Sequence, residues 1–105
     1  MPASLTLQVL GEPSRVAIVE LLRDGERPVG ELVARLDQSQ PGVSRHLRVL
    51  REAGLVESRT DGQRRLYRLR AAPLRELDAW LDRYRTLWTS RLDQLEAHLD
   101  DRRTT

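Results

Sequence analysis

The chain has 105 residues, and its 18 basic and 16 acidic residues leave a formal net charge of +2 at pH 7. It has no cysteine, which excludes a disulfide framework, a thiolate metal site and redox sensing by thiols. No apolar run approaches the ~20 residues of a membrane span, and the N-terminus lacks the pattern of a signal peptide, so we expect a cytoplasmic protein without membrane contact. The length predicts a single domain over residues 1–105.

Two short helices are predicted at the start of the chain. Leu5 and Val9 indicate an opening helix. Pro13 suits the first turn of a second helix, because the N–H that proline lacks would have no partner there. Gly25 follows the last apolar positions of that helix and predicts its end.

Residues 29–53 predict two helices joined by a tight polar turn. Apolar residues recur at i, i+3, i+4 and i+7 in the first helix, and the stripe resumes in the second, at Val29, Leu32, Val33, Leu36, Val43, Leu47 and Leu50. Ser39 suits the N-cap of the second helix, Pro41 its first turn and Gly54 its C-terminal cap. This arrangement is typical of a DNA-reading helix-turn-helix.

The outward face of the second helix carries side chains that we expect to read bases and phosphates. With Val43 and Leu47 inward, the exposed positions are Gln40, Ser44, Arg45 and Arg48. Arginine forks onto guanine, glutamine bridges adenine, and serine donates to bases or backbone. The alternative is a solvated polar face, which any amphipathic helix has.

His46 completes the set of predicted DNA-binding residues on this helix, although its place at the border of the apolar face favours a half-buried packing role over base reading. A catalytic pair of Ser44 and His46 is excluded, because residues i and i+2 point to different sides of a helix. No carboxylate pair or phosphate-binding loop accompanies them, so we expect no enzymatic activity.

Residues 56–70 predict a β-hairpin directly after this helix. The Asp61-Gly62 step lies between two short segments and is a strong hairpin signal. A hairpin in this position is a wing, and three arginines flank its tip, Arg59, Arg64 and Arg65. We expect them to reach phosphates or a minor groove.

The longest predicted helix covers residues 74–100, begins near Pro73 and would be ~40 Å long at ~1.5 Å per residue. Its apolar face is wider than one packing seam requires, which predicts a partner, most simply a second copy. The residues expected in that interface are Leu77, Trp80, Leu81, Tyr84, Leu87, Trp88, Leu92 and Leu95. Alternatively, the aromatic residues among them line a pocket for a small apolar effector of unknown identity.

Several motifs occurring together in this order resemble the ArsR/SmtB family of winged-helix repressors, over roughly residues 5–100. They are Glu12-Pro13-Ser14-Arg15, Val29-Gly30-Glu31-Leu32, Ser39-Gln40-Pro41, Val43-Ser44-Arg45-His46-Leu47, Ala53-Gly54-Leu55-Val56 and Tyr67-Arg68-Leu69. The resemblance implies a homodimer built by the first and last helices, which adds Leu5 and Val9 to the interface. It also implies recognition helices in successive major grooves of a palindromic operator, and many family members release DNA on binding metal.

The metal response of the family is not expected here. Val33 and Arg35 stand where the family's thiolate ligands lie, and the terminal helix has His98 without a second histidine. We therefore expect no metal and no cofactor, and the terminal helix resembles the metal-independent branch often encoded beside START-like SRPBCC proteins. Asp37 and Gln38 replace the family's glycine and aliphatic residue, which predicts a more loosely packed turn.

These observations predict a mainly α-helical winged helix-turn-helix with a small β-hairpin and a long C-terminal dimerisation helix. The expected function is sequence-specific transcriptional repression by a homodimer bound to double-stranded operator DNA. Two alternatives remain, a winged-helix protein-interaction module that does not bind DNA and a metal-responsive repressor.

Overall fold

The computed structural model describes residues 3–104, so residues 1, 2 and 105 of the predicted domain lie outside the described part. The elements in chain order are α1 (Ala3–Val9), α2 (Pro13–Leu22), β1 (Arg27–Pro28), α3 (Val29–Leu36), α4 (Gln40–Glu52), β2 (Val56–Asp61), β3 (Arg64–Leu69) and α5 (Ala71–Thr104). The expected mainly helical winged fold with a long C-terminal helix is confirmed.

The sheet has three strands in the order β1-β3-β2, all antiparallel, rather than the two strands of the predicted hairpin. β1 has only two residues, too few to show the alternation that identifies a strand in a sequence. β2 and β3 join through Gly62 and Gln63. Gly62 has φ +63° and no other residue of this loop has a positive φ, as a type II′ turn requires.

Both predicted caps of α4 are confirmed. The Ser39 Oγ accepts a hydrogen bond from the Gly42 N–H at 3.2 Å, at the N-terminus of the helix. At the other end Gly54 takes φ +76° and its N–H donates to the Arg51 carbonyl at 2.9 Å, while the Leu55 N–H donates to the Leu50 carbonyl at 2.9 Å. These two bonds form a Schellman motif, which ends the helix and turns the chain into the wing.

One apolar core joins α2, α3, α4 and the start of β2. Its fully buried side chains are Ile18, Leu32, Val43, Leu47, Leu50, Leu55 and Val56. Burying such side chains stabilises the fold by roughly 1.5–3 kcal/mol each, so the inward side of α4 is strongly specified. The opposite side of α4 is therefore held toward solvent.

The turn between α3 and α4 is built without the glycine and aliphatic residue that the family places there. Asp37 takes the left-handed conformation, with φ 52°, which aspartate tolerates better than most side chains. Gln38 is exposed and donates a hydrogen bond from Nε2 to the Ser14 Oγ at 2.7 Å. This hydrogen bond connects the turn to α2.

The terminal helix is longer than predicted at both ends, since it begins at Ala71 instead of residue 74 and continues to Thr104 instead of residue 100. Pro73 is its third residue. The first four N–H groups of a helix have no intrahelical acceptor, so the N–H that proline lacks costs no hydrogen bond there. No glycine or proline follows Asp100 to stop the helix. The chain is 68 Å along its longest axis, and its radius of gyration of 19.0 Å exceeds the ~13 Å of a compact chain of this length because α5 projects from the body.

Candidate nucleic-acid interface

The exposed face of α4 and the adjacent side of the wing enclose an open cleft of about 640 Å³. Its lining residues are Val29, Gln40, Pro41, Ser44, Arg45, Arg48, Arg51, Arg65 and Tyr67. Five of the predicted DNA-binding residues are among them, namely Gln40, Ser44, Arg45, Arg48 and Arg65. The helix supplies most of the cleft and the wing closes one side of it.

The cleft carries uncompensated positive charge, because arginine supplies four of its lining residues and no carboxylate lines it. Within residues 3–104, Arg45, Arg48 and Arg51 have no ion pair with an acidic side chain. Among the side chains that the structure describes, Arg65 donates only to the Ser58 hydroxyl, at 3.4 Å. Guanidinium groups held without a protein carboxylate are available for phosphate oxygens and guanine edges.

The three arginines predicted at the wing tip lie on two faces of the hairpin. Successive side chains of a strand point to opposite sides, so Arg64 and Arg65 diverge, and Arg65 is the one that lines the cleft. Arg64 lies opposite Asp61 and forms an ion pair with it at 3.8 Å. Arg59 lies outside the cleft and is held by Glu26 through two hydrogen bonds, at 2.9 and 2.7 Å.

The Glu26–Arg59 pair changes the ionisation of both groups. The hydrogen bond from Arg59 lowers the pKa of the Glu26 carboxyl, and burial opposes this effect only in part. The same hydrogen bond raises the pKa of the Arg59 guanidinium. Both side chains are therefore charged over the whole neutral range, and the pair persists there.

His46 does not line the cleft. It is half-buried, and its Nδ1 is buried without a hydrogen-bond partner among the residues that the structure describes. Arg51 and Tyr67, in contrast, line the cleft although the sequence analysis did not select them. Arg51 follows Ser44 by seven residues on the same helix and Tyr67 follows Arg65 by two on the same strand, so both positions follow from simple periodicity.

The residues predicted for dimerisation divide into buried and exposed groups. Val9 is 7% exposed and belongs to the core of the chain itself, and Leu77 and Trp80 on α5 are half-buried. Large apolar side chains remain exposed further along α5 and on α1, at Leu5, Leu81, Tyr84, Leu87, Trp88, Leu92 and Leu95. A shallow apolar groove of about 610 Å³ follows α5 from Trp80 to Leu92.

Two acidic residues of α5, Asp78 and Asp82, are engaged with arginine. Arg85 forms ion pairs with Asp78 and, at 3.3 Å, with Asp82, and the hydrogen bond to Asp78 raises the pKa of Arg85. Over residues 3–104, no three histidine, aspartate or glutamate side chains are close enough to share a metal ion. The described helices also include none that is long and apolar enough to cross a membrane.

Comparison with known proteins relates the chain to bacterial transcription regulators. The family described as bacterial regulatory protein, arsR family, matches residues 12–58. The HTH-type transcriptional regulator Rv2034 of Mycobacterium tuberculosis is 46% identical over 85 residues, which cover 81% of this chain and 77% of that protein. The arsenical resistance operon repressor of Escherichia coli is 48% identical over 63 residues, which cover 59% of this chain and 54% of that protein.

A solved structure extends this similarity to most of the fold. The crystal structure of a "possible transcriptional regulator for arsenical resistance" matches with a TM-score of 0.71 and 44% sequence identity, covering 88% of this chain and 93% of that one. Because 88% of the 105-residue chain is more than the 70 residues that precede α5, the similarity also takes in part of the terminal helix.

Proposed function

This chain belongs to the arsR family of bacterial regulatory proteins, and from that premise we propose that it is a homodimeric repressor that binds a palindromic operator. It is a transcriptional regulator and not an enzyme. The observation that carries the proposal is the cleft beside α4, in which Arg45, Arg48, Arg51 and Arg65 face solvent with no carboxylate in the lining. Binding to chromosomal DNA implies that the protein acts in the cytoplasm.

In the proposed complex α4 enters the major groove. Arg45 and Arg48 project from the middle of its exposed face, where a guanidinium group forks onto the O6 and N7 atoms of guanine. Gln40, at the start of the helix, matches the N6 and N7 atoms of adenine. Arg51 on α4 and Arg65 on the wing also line the cleft, and in this proposal they hold phosphates on either side of the groove.

The proposed dimer follows from the apolar surface that α5 leaves exposed. Side chains such as Trp88 and Leu92 lie outside the core of the chain, and a second copy would bury them in a self-complementary two-fold interface. A two-fold dimer presents two copies of α4, and such pairs read half-sites about 34–36 Å apart, one turn of DNA. We therefore favour the dimer core over an effector pocket for the groove at Trp80 and Tyr84.

We also propose that DNA release does not depend on metal, as in the branch of the family associated with SRPBCC proteins. The support is the absence of cysteine from the sequence and the pairing of Asp78 and Asp82 with Arg85. A module that binds only proteins is disfavoured, because four arginines line one cleft without an acidic partner among the described residues, and such a concentration of positive charge favours a polyanion.

The test is a binding isotherm measured by fluorescence anisotropy at about 150 mM salt. One labelled duplex carries the region upstream of the protein's own gene, and the control duplex carries the same bases in scrambled order. We expect the upstream duplex to bind about 1,000-fold more tightly, the lower end of the usual specificity ratio. Equal affinity for both duplexes, or no binding, would overturn the proposal, and in vitro transcription from the same region then tests repression.

A further inference from the structure

We propose that Arg59 is a positioning residue that clamps the wing to the helical body through Glu26, and that it does not contact DNA. The inference rests on the proposed DNA-binding function, because the clamp matters by keeping Arg65 beside the recognition helix. Arg59 and Arg65 are both wing arginines and have the same chemistry. Only their surroundings assign them different roles.

The wing is attached to the rest of the sheet over a short distance. β3 is the central strand, but it pairs with β1 only at Arg27–Tyr67 and Pro28–Leu66. Residues 60–65, at the tip, have no neighbour from β1 and are paired only within the hairpin. A hairpin held in this way can bend as a unit, since a two-stranded ribbon has little stability of its own.

The Glu26–Arg59 pair lies where such bending would occur. Arg59 is on the edge strand β2 and pairs with Leu66 on β3, whereas Glu26 immediately precedes β1 on the far side of β3. The guanidinium of Arg59 reaches across β3. Its Nε and Nη2 each donate to a different oxygen of the Glu26 carboxylate, at 2.9 and 2.7 Å. A bidentate contact of this kind fixes the orientation of the wing as well as its distance from the body.

The same contact keeps Arg59 away from the DNA surface. Arg59 pairs with Leu66, and Arg65 with Thr60, so the two arginines occupy alternate positions and opposite faces of the hairpin. The hydrogen bond also lowers the pKa of the Glu26 carboxyl, so the carboxylate stays charged and bound to Arg59 near neutral pH. The carboxylate takes the Nε–H and one Nη2–H of Arg59, so a phosphate could bind that edge of the guanidinium only by displacing it.

A second ion pair on the same face provides the matched control. Arg68 and Glu57 are cross-strand partners, so their ion pair joins the two strands of the hairpin and does not bridge β2 to Glu26, although the charge of Arg68 also acts on the Glu26 carboxyl. Breaking it removes the same kind of charge pair without releasing the wing from the body. Glu57→Gln should therefore leave DNA binding within about twofold, as expected for an exposed pair.

The decisive experiment is a charge swap, read by affinity for the duplex from upstream of the protein's own gene. Glu26→Gln alone should weaken binding about tenfold, because a dimer has two clamps and an ion pair of this geometry contributes up to roughly fivefold each. Arg59→Glu alone should weaken binding further, and Glu26→Arg combined with Arg59→Glu should restore it to within about threefold of the wild type. If Arg59 binds phosphate, the swapped protein will remain as weak as Arg59→Glu, and Glu26→Gln will bind as tightly as the wild type or more tightly.

Amide hydrogen exchange tests the clamp without DNA. Glu26→Gln and Arg59→Gln should each speed exchange of the tip residues 60–65 by about threefold to fivefold, with exchange in α4 unchanged, while Glu57→Gln should not release the tip. Unchanged tip exchange in both clamp variants would overturn the proposal. If the wild type binds neither duplex, the proposed function fails, and the exchange data still decide whether the clamp exists.

Discussion

The helix-turn-helix and the terminal helix distribute apolar residues and charge in opposite ways. Leu47 and Leu50 on α4 are 1% and 0% exposed, whereas Trp88 and Leu92 on α5 are 59% and 61% exposed. The surroundings of two sets of arginines also differ. The α4 arginines that line the cleft have no acidic partner within residues 3–104, but Arg85 on α5 is held by two aspartates.

This difference indicates what each region is built to contact. The first region completes its core within one chain and directs positive charge outward, which suits a polyanion. The second pairs Arg85 with two aspartates of the same helix and leaves apolar area outward, which suits a partner with a similar surface. The predictions below test the two halves of this comparison separately.

The largest expected effect is on the core of the first region. Leu50→Ala should lower the free energy of unfolding by about 2–5 kcal/mol, because it leaves a cavity among fully buried neighbours. Urea unfolding measures this at several protein concentrations. Leu92→Ala is the control, and at concentrations where the chain is monomeric it should cost under about 1 kcal/mol. Equal costs for the two variants under those conditions would contradict the comparison.

The next effect concerns the terminal helix. Combining Trp88→Glu with Leu92→Glu should give a monomer by sedimentation equilibrium, because two charges on each copy would be buried in an apolar interface. Loss of the second half-site should weaken operator binding about 100-fold or more. The control combines Thr86→Glu with Ser90→Glu, which has the same charge and spacing on the other side of α5. A dimer that survives the first pair, or dissociates with the second, would refute the proposed interface.

A smaller effect separates base reading from phosphate binding within the cleft. Arg45→Ala should weaken binding to the upstream duplex by about 1–3 kcal/mol and affect scrambled DNA much less, because a guanine contact is lost. Arg65→Ala should weaken both duplexes to a similar degree. Anisotropy titrations of each variant on each duplex give the four affinities to be compared. If Arg45→Ala reduces both affinities equally, the assignment of Arg45 as a base reader is wrong.

The smallest expected effect is that of metal. Adding zinc or a chelator should change operator affinity by no more than about threefold, since the chain has no thiolate and the described acidic residues of α5 form no three-ligand cluster. The measurement is the same titration after dialysis against each reagent. A zinc-dependent loss of about tenfold would favour the metal-responsive alternative.

Much of the helix-turn-helix could be predicted from sequence because its signals are local. The Ser39 cap, Pro41 in the first turn and the Gly54 motif involve residues within a few positions of one another. The periodic apolar residues of α4 predicted which side is buried, and this also defines the side that faces the cleft. Extending the same helical periodicity by seven residues from Ser44 predicts that Arg51 also faces the cleft.

What the sequence did not reveal depends on contacts between distant positions. Arg59 and Glu26 are 33 residues apart, and only folding brings them together across β3. The strand β1 is too short to leave a pattern, and it exists because β3 lies beside it. Strand alternation, in contrast, already predicts from the sequence that Arg64 and Arg65 point to opposite faces of the wing.

The central claim, that the α4 and wing cleft holds DNA phosphates, is tested most directly by the salt dependence of binding to the upstream duplex. A plot of log affinity against log salt concentration should lose about one unit of slope per contact, and thus about two units per dimer, in Arg65→Ala. Arg83→Ala, an exposed arginine on α5, should leave the slope unchanged. A slope unaffected by Arg65→Ala, or reduced as much by Arg83→Ala, would contradict the account.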